Sequence, residues 1–237
     1  MKDWRLEVFE ELPSTSTACI ERACAGEPAG LAIMAIRQTS GRGSRGRVWQ
    51  APEGNLNLSV LLRPERPLAE AGMFALLAGI VVAEVLEELA AVAVTLKWPN
   101  DVLLGGAKLA GVLIDAAPAA DKINWLVAGI GINLREAPRI EGRETVALAA
   151  RGTVLAPALV AEGVLRHLGQ WQNAAGSAIM AAWLERAHPV GTPIKVRAGG
   201  RTLCGSFVGL APTGELLLRR ENCIEAISTG EVLLGPS

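Results

Sequence analysis

The chain has 237 residues, half of them apolar and a fifth charged, with a formal charge of −1. This balance supports a packed globular core and argues against disorder and against a general nucleic-acid binder, which would be strongly basic. The acidic opening MKDWRLEVFEEL lacks the apolar segment of a secretory signal, so a soluble cytoplasmic protein with no membrane role is expected.

Ser14-Thr15-Ser16-Thr17 predicts an N-capped short helix with Gly26 near its end. The run LAIMAI at 31–36 reads as a strand, and NLNLSVLL at 55–62 alternates in the manner of a half-buried one. A loop rich in Gly and Arg, 38–54, separates them. Residues 68–90 repeat apolar positions at helical spacing. Their longest apolar run, 73–83, falls far short of the ~20 residues of a membrane span and reads as a buried helix. VAVTLKW at 92–98 predicts a strand, and 101–104 with 108–115 predict a hairpin turning at Gly105-Gly106. A further strand is expected over 125–134, and one or two helices over 155–187, interrupted near Gly176-Ser177. Beyond His188-Pro189, short strands between turn signals describe a small all-β module, a barrel. The expected class is α+β, with a mixed-sheet domain over 1–189 and the β-module over 190–237.

The chemistry-bearing residues are unusual in kind. His167 and His188 are the only histidines, so histidine-based nucleophilic catalysis has little to work with. Cys19, Cys24, Cys204 and Cys223 form no C-x-x-C pair and read as reduced thiols, not a zinc site. The loop from Gln38 to Arg47 combines Arg42, Arg45 and Arg47 with Gly41, Gly43 and Gly46. Planar guanidinium forks and approachable backbone suit a phosphate or carboxylate, while the plain alternative is a solvated basic loop. It misses the phosphate-binding P-loop because Arg47-Val48 stands in place of Lys-Ser/Thr. Lys97-Trp-Pro-Asn-Asp101 leaves Asn100 and Asp101 at a strand mouth, where Asp101 could hold magnesium. Lys108 should point opposite to Leu109 and neutralise a substrate carboxylate if its face lines a pocket. Gly129-Ile-Gly131-Ile-Asn133 lacks the third glycine of a dinucleotide fingerprint and marks a close backbone or ligand approach instead.

Taken in order, Ser14-Thr15-Ser16, Gly41-Arg-Gly-Ser-Arg-Gly-Arg-Val-Trp49, Lys97-Trp-Pro-Asn-Asp101, Lys108-Leu-Ala-Gly111 and Gly129-Ile-Gly-Ile-Asn133 resemble the successive motifs of biotin–protein ligases. The terminal module is similar to that family's SH3-like barrel. The resemblance implies activation of biotin by ATP to biotinyl-5′-AMP, with Mg²⁺, and transfer to a lysine of a biotin carboxyl carrier protein or domain. It implies that Ser14, Thr15, Ser16 and Gln38 bind the ureido ring and valeryl chain. Gly41, Arg42, Gly43 and Ser44 would close over the biotin carboxylate and acyl phosphate. Arg42 and Lys108 would be the catalytic cations, and Gly111, Gly129 and Gly131 the pocket floor. Arg45, Arg47, Trp49, Asn100, Asp101 and Asn133 would serve the nucleotide, with Asp101 on its metal. A homodimer is compatible with the resemblance. Two departures stand out. Only 13 residues precede the Ser-Thr motif, too few for the DNA-binding domain of some relatives, so no DNA partner is expected. Ser44 also stands where the family loop usually carries another basic residue. The rivals are a lipoate ligase or octanoyltransferase on the same fold and, more remotely, a non-catalytic biotin- or nucleotide-binding module.

Overall fold

The computed structural model describes residues 4–221 and 223–233. Strand β1 (Arg5–Leu12) is followed by helix α1 (Thr15–Cys24) and strand β2 (Leu31–Gln38). α1 starts after Ser14, whose hydroxyl accepts a hydrogen bond from the Thr17 amide at 3.4 Å. β1 and β2 run parallel, and α1 is the crossover that parallel strands require. Strand β3 (Leu56–Leu62), helix α2 (Met73–Ala90) and strand β4 (Thr95–Lys97) come next. Strands β5 (Asp101–Leu104) and β6 (Ala107–Ala119) form the expected hairpin. Gly105 and Gly106 turn it at φ of 61° and 87°, positive values that glycine adopts without a Cβ clash. Strand β7 (Lys122–Ile132) completes a mixed sheet of seven strands, ordered β1-β2-β3-β7-β6-β5-β4.

Both sheet faces are covered. α1 packs one face through Cys19 and Ala23 against Leu31, Ile33, Leu61 and Val127. α2 packs the other, with helices α3 (Pro157–Trp171) and α4 (Gly176–Arg186) against it. That position explains why α2 is apolar almost all round: it lies inside the protein, although its length and hydropathy would also suit a bilayer.

Several sequence expectations need correction. β3 is buried along its whole length, not half-buried, because helices lie on both faces. Its polar residues therefore face the interior and must be hydrogen-bonded there. β4 spans three residues instead of the seven of 92–98, as an edge strand paired with β5 and otherwise only bridged at Leu96 to Ala187 among the described residues. The helical break expected near Gly176-Ser177 is present, between Trp171 and Gly176. β1 is not announced by the sequence pattern, since as an edge strand it buries few side chains.

Strands β8 (Pro193–Ala198), β9 (Arg201–Leu210), β10 (Leu216–Arg220), β11 (Cys223–Ile227) and β12 (Glu231–Leu233) form the SH3-like antiparallel sheet, ordered β11-β10-β9-β8-β12. Among the described residues β11 and β12 do not pair, so the expected barrel is not closed by hydrogen bonds. The module is not packed apart. Val196, Phe207, Leu218 and Val232 share one hydrophobic core with α2 and the large sheet. Trp183 meets Phe207 edge-on at 6.5 Å, and the Trp98 indole donates to the Gly214 carbonyl at 3.0 Å.

Candidate active site

A narrow cavity of about 40 Å³ runs between the start of α1, the loop after β2, and strands β6 and β7. It gathers Thr15, Ser16, Gln38, Arg42, Gly43, Ser44, Trp49, Asn100, Lys108, Gly111, Gly129 and Gly131, residues scattered over more than a hundred positions of sequence. Its inner end is lined by neutral polar groups. Gln38 accepts from the Thr15 amide at 2.7 Å and the Thr15 hydroxyl at 3.1 Å, and its own amide donates to Asn57 at 3.1 Å. The Ser59 hydroxyl lies 2.8 Å from that of Thr15 and 3.1 Å from that of Ser16. Sequence reasoning misses Asn57 and Ser59. Both lie on the polar face of β3, which turns inward: Asn57 lines the cavity and Ser59 bonds the hydroxyls that do. Gly129 is required here, since a Cβ would lie 2.5 Å from the Ser16 hydroxyl.

The outer end is ionic. Lys108 points away from the buried Leu109, as its alternation requires, and its ammonium bonds Asp101 Oδ1. Lys97 Nζ lies 3.1 Å from the other oxygen, and Asp101 is only 7% exposed. Burial alone would raise the Asp101 carboxyl, but Lys108 and Lys97 outweigh it and hold it below the usual carboxylate value. The Lys108 ammonium also lies 5.5 Å from the centre of the Trp49 ring, within cation–π range. That indole lies flat on Gly131, where a Cβ would come within 2.3 Å of it. Trp49 Nε1 is buried without a hydrogen-bond partner among the described residues, as is Asn133 Oδ1.

A second cavity of about 380 Å³ adjoins the first through Ser44, Asn100, Val112 and Leu113. Arg45, Arg47, Lys97, Asp101 and Glu231 line it, so it is rich in cations on one side. Glu231, brought by β12, gathers Arg45 at 3.0 Å, Arg47 at 3.4 Å and Arg143. Arg45 itself sits in the left-handed region, at φ 59°, uncommon for a non-glycine residue. Glu231 and Arg143 carry no motif and become visible only in three dimensions.

Three expected site residues line neither cavity. Ser14 spends its hydroxyl on capping α1. Gly41 packs beneath the Trp49 carbonyl, which a Cβ would approach to 2.3 Å. Asn133 sits behind the wall, its amide reaching the Val146 carbonyl at 3.3 Å and the Lys108 carbonyl at 3.5 Å, and so supports the strand that carries Lys108. The expectation of magnesium on Asp101 also fits poorly. Both of its oxygens are engaged by ammonium groups, and the described residues include no group of three His, Cys, Asp or Glu that could hold a metal ion.

Comparison with known proteins agrees with this geometry. The Biotin/lipoate A/B protein ligase family model matches residues 8–133, and the Biotin protein ligase C terminal domain model matches residues 190–235. The biotin–[acetyl-CoA-carboxylase] ligase of Mycobacterium tuberculosis is 33% identical, covering 97% of this chain and 89% of its own length. The biotin protein ligase from Aquifex aeolicus in complex with biotin and ATP superposes with a TM-score of 0.81 at 30% identity, over the whole of both chains. The Leishmania major enzyme in complex with biotinyl-5-AMP gives a TM-score of 0.63 at 26% identity, covering 95% of this chain and 99% of its own.

Proposed function

The chain belongs to the Biotin/lipoate A/B protein ligase family, and from that membership we infer that it activates biotin with ATP and transfers it to a lysine of a carboxylase. The observation that carries the reading is the pair of adjoining cavities. One ends in hydroxyl and amide groups suited to a neutral ureido ring, the other in guanidinium and ammonium groups suited to phosphates, and Lys108 stands near their junction.

A biotin carboxylate oxygen attacks the α-phosphorus of ATP, the bond to pyrophosphate breaks, and a mixed anhydride forms. The neutral amine of the carrier-domain lysine then attacks the acyl carbon, its proton passes to solvent, and AMP leaves. Two anions meet in the first step, so the protein has chiefly to position them and neutralise charge. Lys108 and Arg42 face the reacting carboxylate. Arg45, Arg47 and Lys97 face the phosphates, and Trp49 offers its ring to the base.

Octanoyl transfer would need a reactive thiolate at the pocket. Cys19 lines neither cavity: it is buried in the core under α1, bonded to the Ser59 carbonyl at 3.7 Å, and burial pushes its thiol up to about 12, so it stays protonated. Lipoate would set an apolar dithiolane against the Thr15–Ser59–Gln38 network and leave buried polar groups unpaired. ATP-dependent pyrophosphate release should therefore follow addition of biotin but not of lipoate or octanoate. Comparable rates with either acid would overturn the choice of substrate.

Ser44 gives a further expectation. It offers a hydroxyl where family loops carry a cation, and a charge-assisted bond to the acyl phosphate contributes roughly 1.5–3 kcal/mol. Arg47 is folded back on it, its Nη2 donating to the Ser44 hydroxyl at 3.2 Å while Nη1 meets Glu231. Ser44→Arg should slow release of preformed biotinyl-AMP about tenfold, equivalent to ~1.4 kcal/mol, and reduce labelling of bystander lysines. Equal release and equal bystander labelling in both proteins would mean that Arg45 or Arg47 already supplies the missing contact.

A further inference from the structure

We propose that Asp115, on β6, is the positioning residue that aims Arg42 at the substrate carboxylate; the proposal rests on the ligase reading above. Arg42 belongs to a loop that fixes its main chain but not its guanidinium. It stands between Gly41 and Gly43, which offer it no side-chain contacts, while a bridge to Val48, flanked by Trp49 N–H to the Gly41 carbonyl at 2.9 Å and Gly43 N–H to the Arg47 carbonyl at 2.8 Å, holds the backbone. Its guanidinium nevertheless has a defined plane. Nη1 donates to Asp115 Oδ2 at 3.1 Å and Nη2 to Oδ1 at 2.9 Å, the parallel fork that restricts both position and orientation. Asp115 itself is set by the regular pairing of β6 with β7, where it lies opposite Val127. A rigid strand thus fixes a side chain supplied by a glycine-flanked loop.

Two features separate this from an ordinary surface ion pair. Arg42 lines the narrow cavity together with Lys108, whereas Asp115 lies outside it, so the fork holds the guanidinium from behind. Asp115 engages two of the five N–H donors, leaving others free for an anion within the cavity. The side chains are 39% and 23% exposed, and pairs so exposed add little to folding stability. What the fork supplies is preorganisation: the arginine's rotamers are restricted before substrate arrives, so less freedom is lost on binding.

The test uses the full chain and reads biotin-dependent pyrophosphate release in wild type, Asp115→Asn, Asp115→Glu, Arg42→Ala and the Asp115→Asn/Arg42→Ala double variant. Asparagine keeps the shape but turns an amide donor toward a guanidinium donor, so the fork is lost. Asp115→Asn should raise the KM for biotin about tenfold with the KM for ATP and the melting temperature unchanged. Asp115→Glu should recover part of the loss, and Asp115→Asn should add nothing in the Arg42→Ala background. An unchanged biotin KM in Asp115→Asn, or an equal further loss in the Arg42→Ala background, would overturn the proposal. Failure of the ligase reading looks different. Wild type would then release no pyrophosphate with biotin, and the same cycle run with lipoate or octanoate, whichever acid is activated, still reports whether Arg42 and Asp115 are coupled.

Discussion

Lys108→Ala is expected to lose most biotinyl-AMP formation while remaining folded. The ammonium is buried in the narrow cavity, bonded to Asp101 and facing the wall at Gly111, where a Cβ would approach it to 2.9 Å. Removing one partner of a close, desolvated charge contact typically costs ~2–5 kcal/mol, which is at least about a tenfold loss of rate. The fold should survive because Asp101 keeps Lys97 at 3.1 Å and is not left as an unpaired buried charge. Single-turnover formation of the adenylate, with a thermal melt alongside, separates the two effects. A wild-type rate from folded Lys108→Ala would remove the lysine from the mechanism.

The second large effect concerns the SH3-like module. Residues 1–189 alone are expected to give no soluble, active enzyme, because the module completes the core instead of adding to a finished one. Trp98 in the Lys97–Asp101 motif donates to Gly214, and Gly230 packs so closely on it that a Cβ would lie 3.3 Å from the indole. Losing the module would uncover Trp98 and Trp183 and remove Glu231 from Arg45 and Arg47. A gentler probe of the same idea is Phe207→Ala. Truncation of a fully packed phenylalanine costs about 3–5 kcal/mol, a large part of the ~5–15 kcal/mol that holds a typical domain. Urea unfolding should show that loss as one cooperative transition over both parts of the chain. Two separate transitions, or biotinylation by residues 1–189 at the full rate, would show the module to be independent.

What could be read in the sequence was local and ordered. The hairpin at Gly105-Gly106 needs only two residues with positive φ, and the orientation of Lys108 follows from strand alternation with Leu109. The GRGSRGRVW, KWPND and KLAG segments carry their chemistry in adjacent residues, so a resemblance to a known family was legible in their order. What could not be read depends on contacts between distant segments. Asn57 and Ser59 looked like a solvated strand face until α1 covered it. Glu231 meets Arg45 and Arg47 across 186 and 184 residues of chain, and Arg143 joins them only through Glu231. Asp115 is an ordinary strand residue until Arg42 reaches it from 73 positions away. The packing of Trp49 on the Gly131 floor of the narrow cavity is likewise a contact between distant segments. The capping role of Ser14 is legible in the sequence, since Ser14 precedes the first turn of a helix and serves there as N-cap.

The most direct measurement is mass spectrometry of a biotin carboxyl carrier domain incubated with the enzyme, ATP and biotin. A biotin–protein ligase should add the mass of biotin less one water to a single lysine, with AMP and pyrophosphate as products and no addition when ATP is omitted. An unmodified carrier domain, in a reaction where a lipoyl domain supplied with lipoate is modified instead, would contradict it.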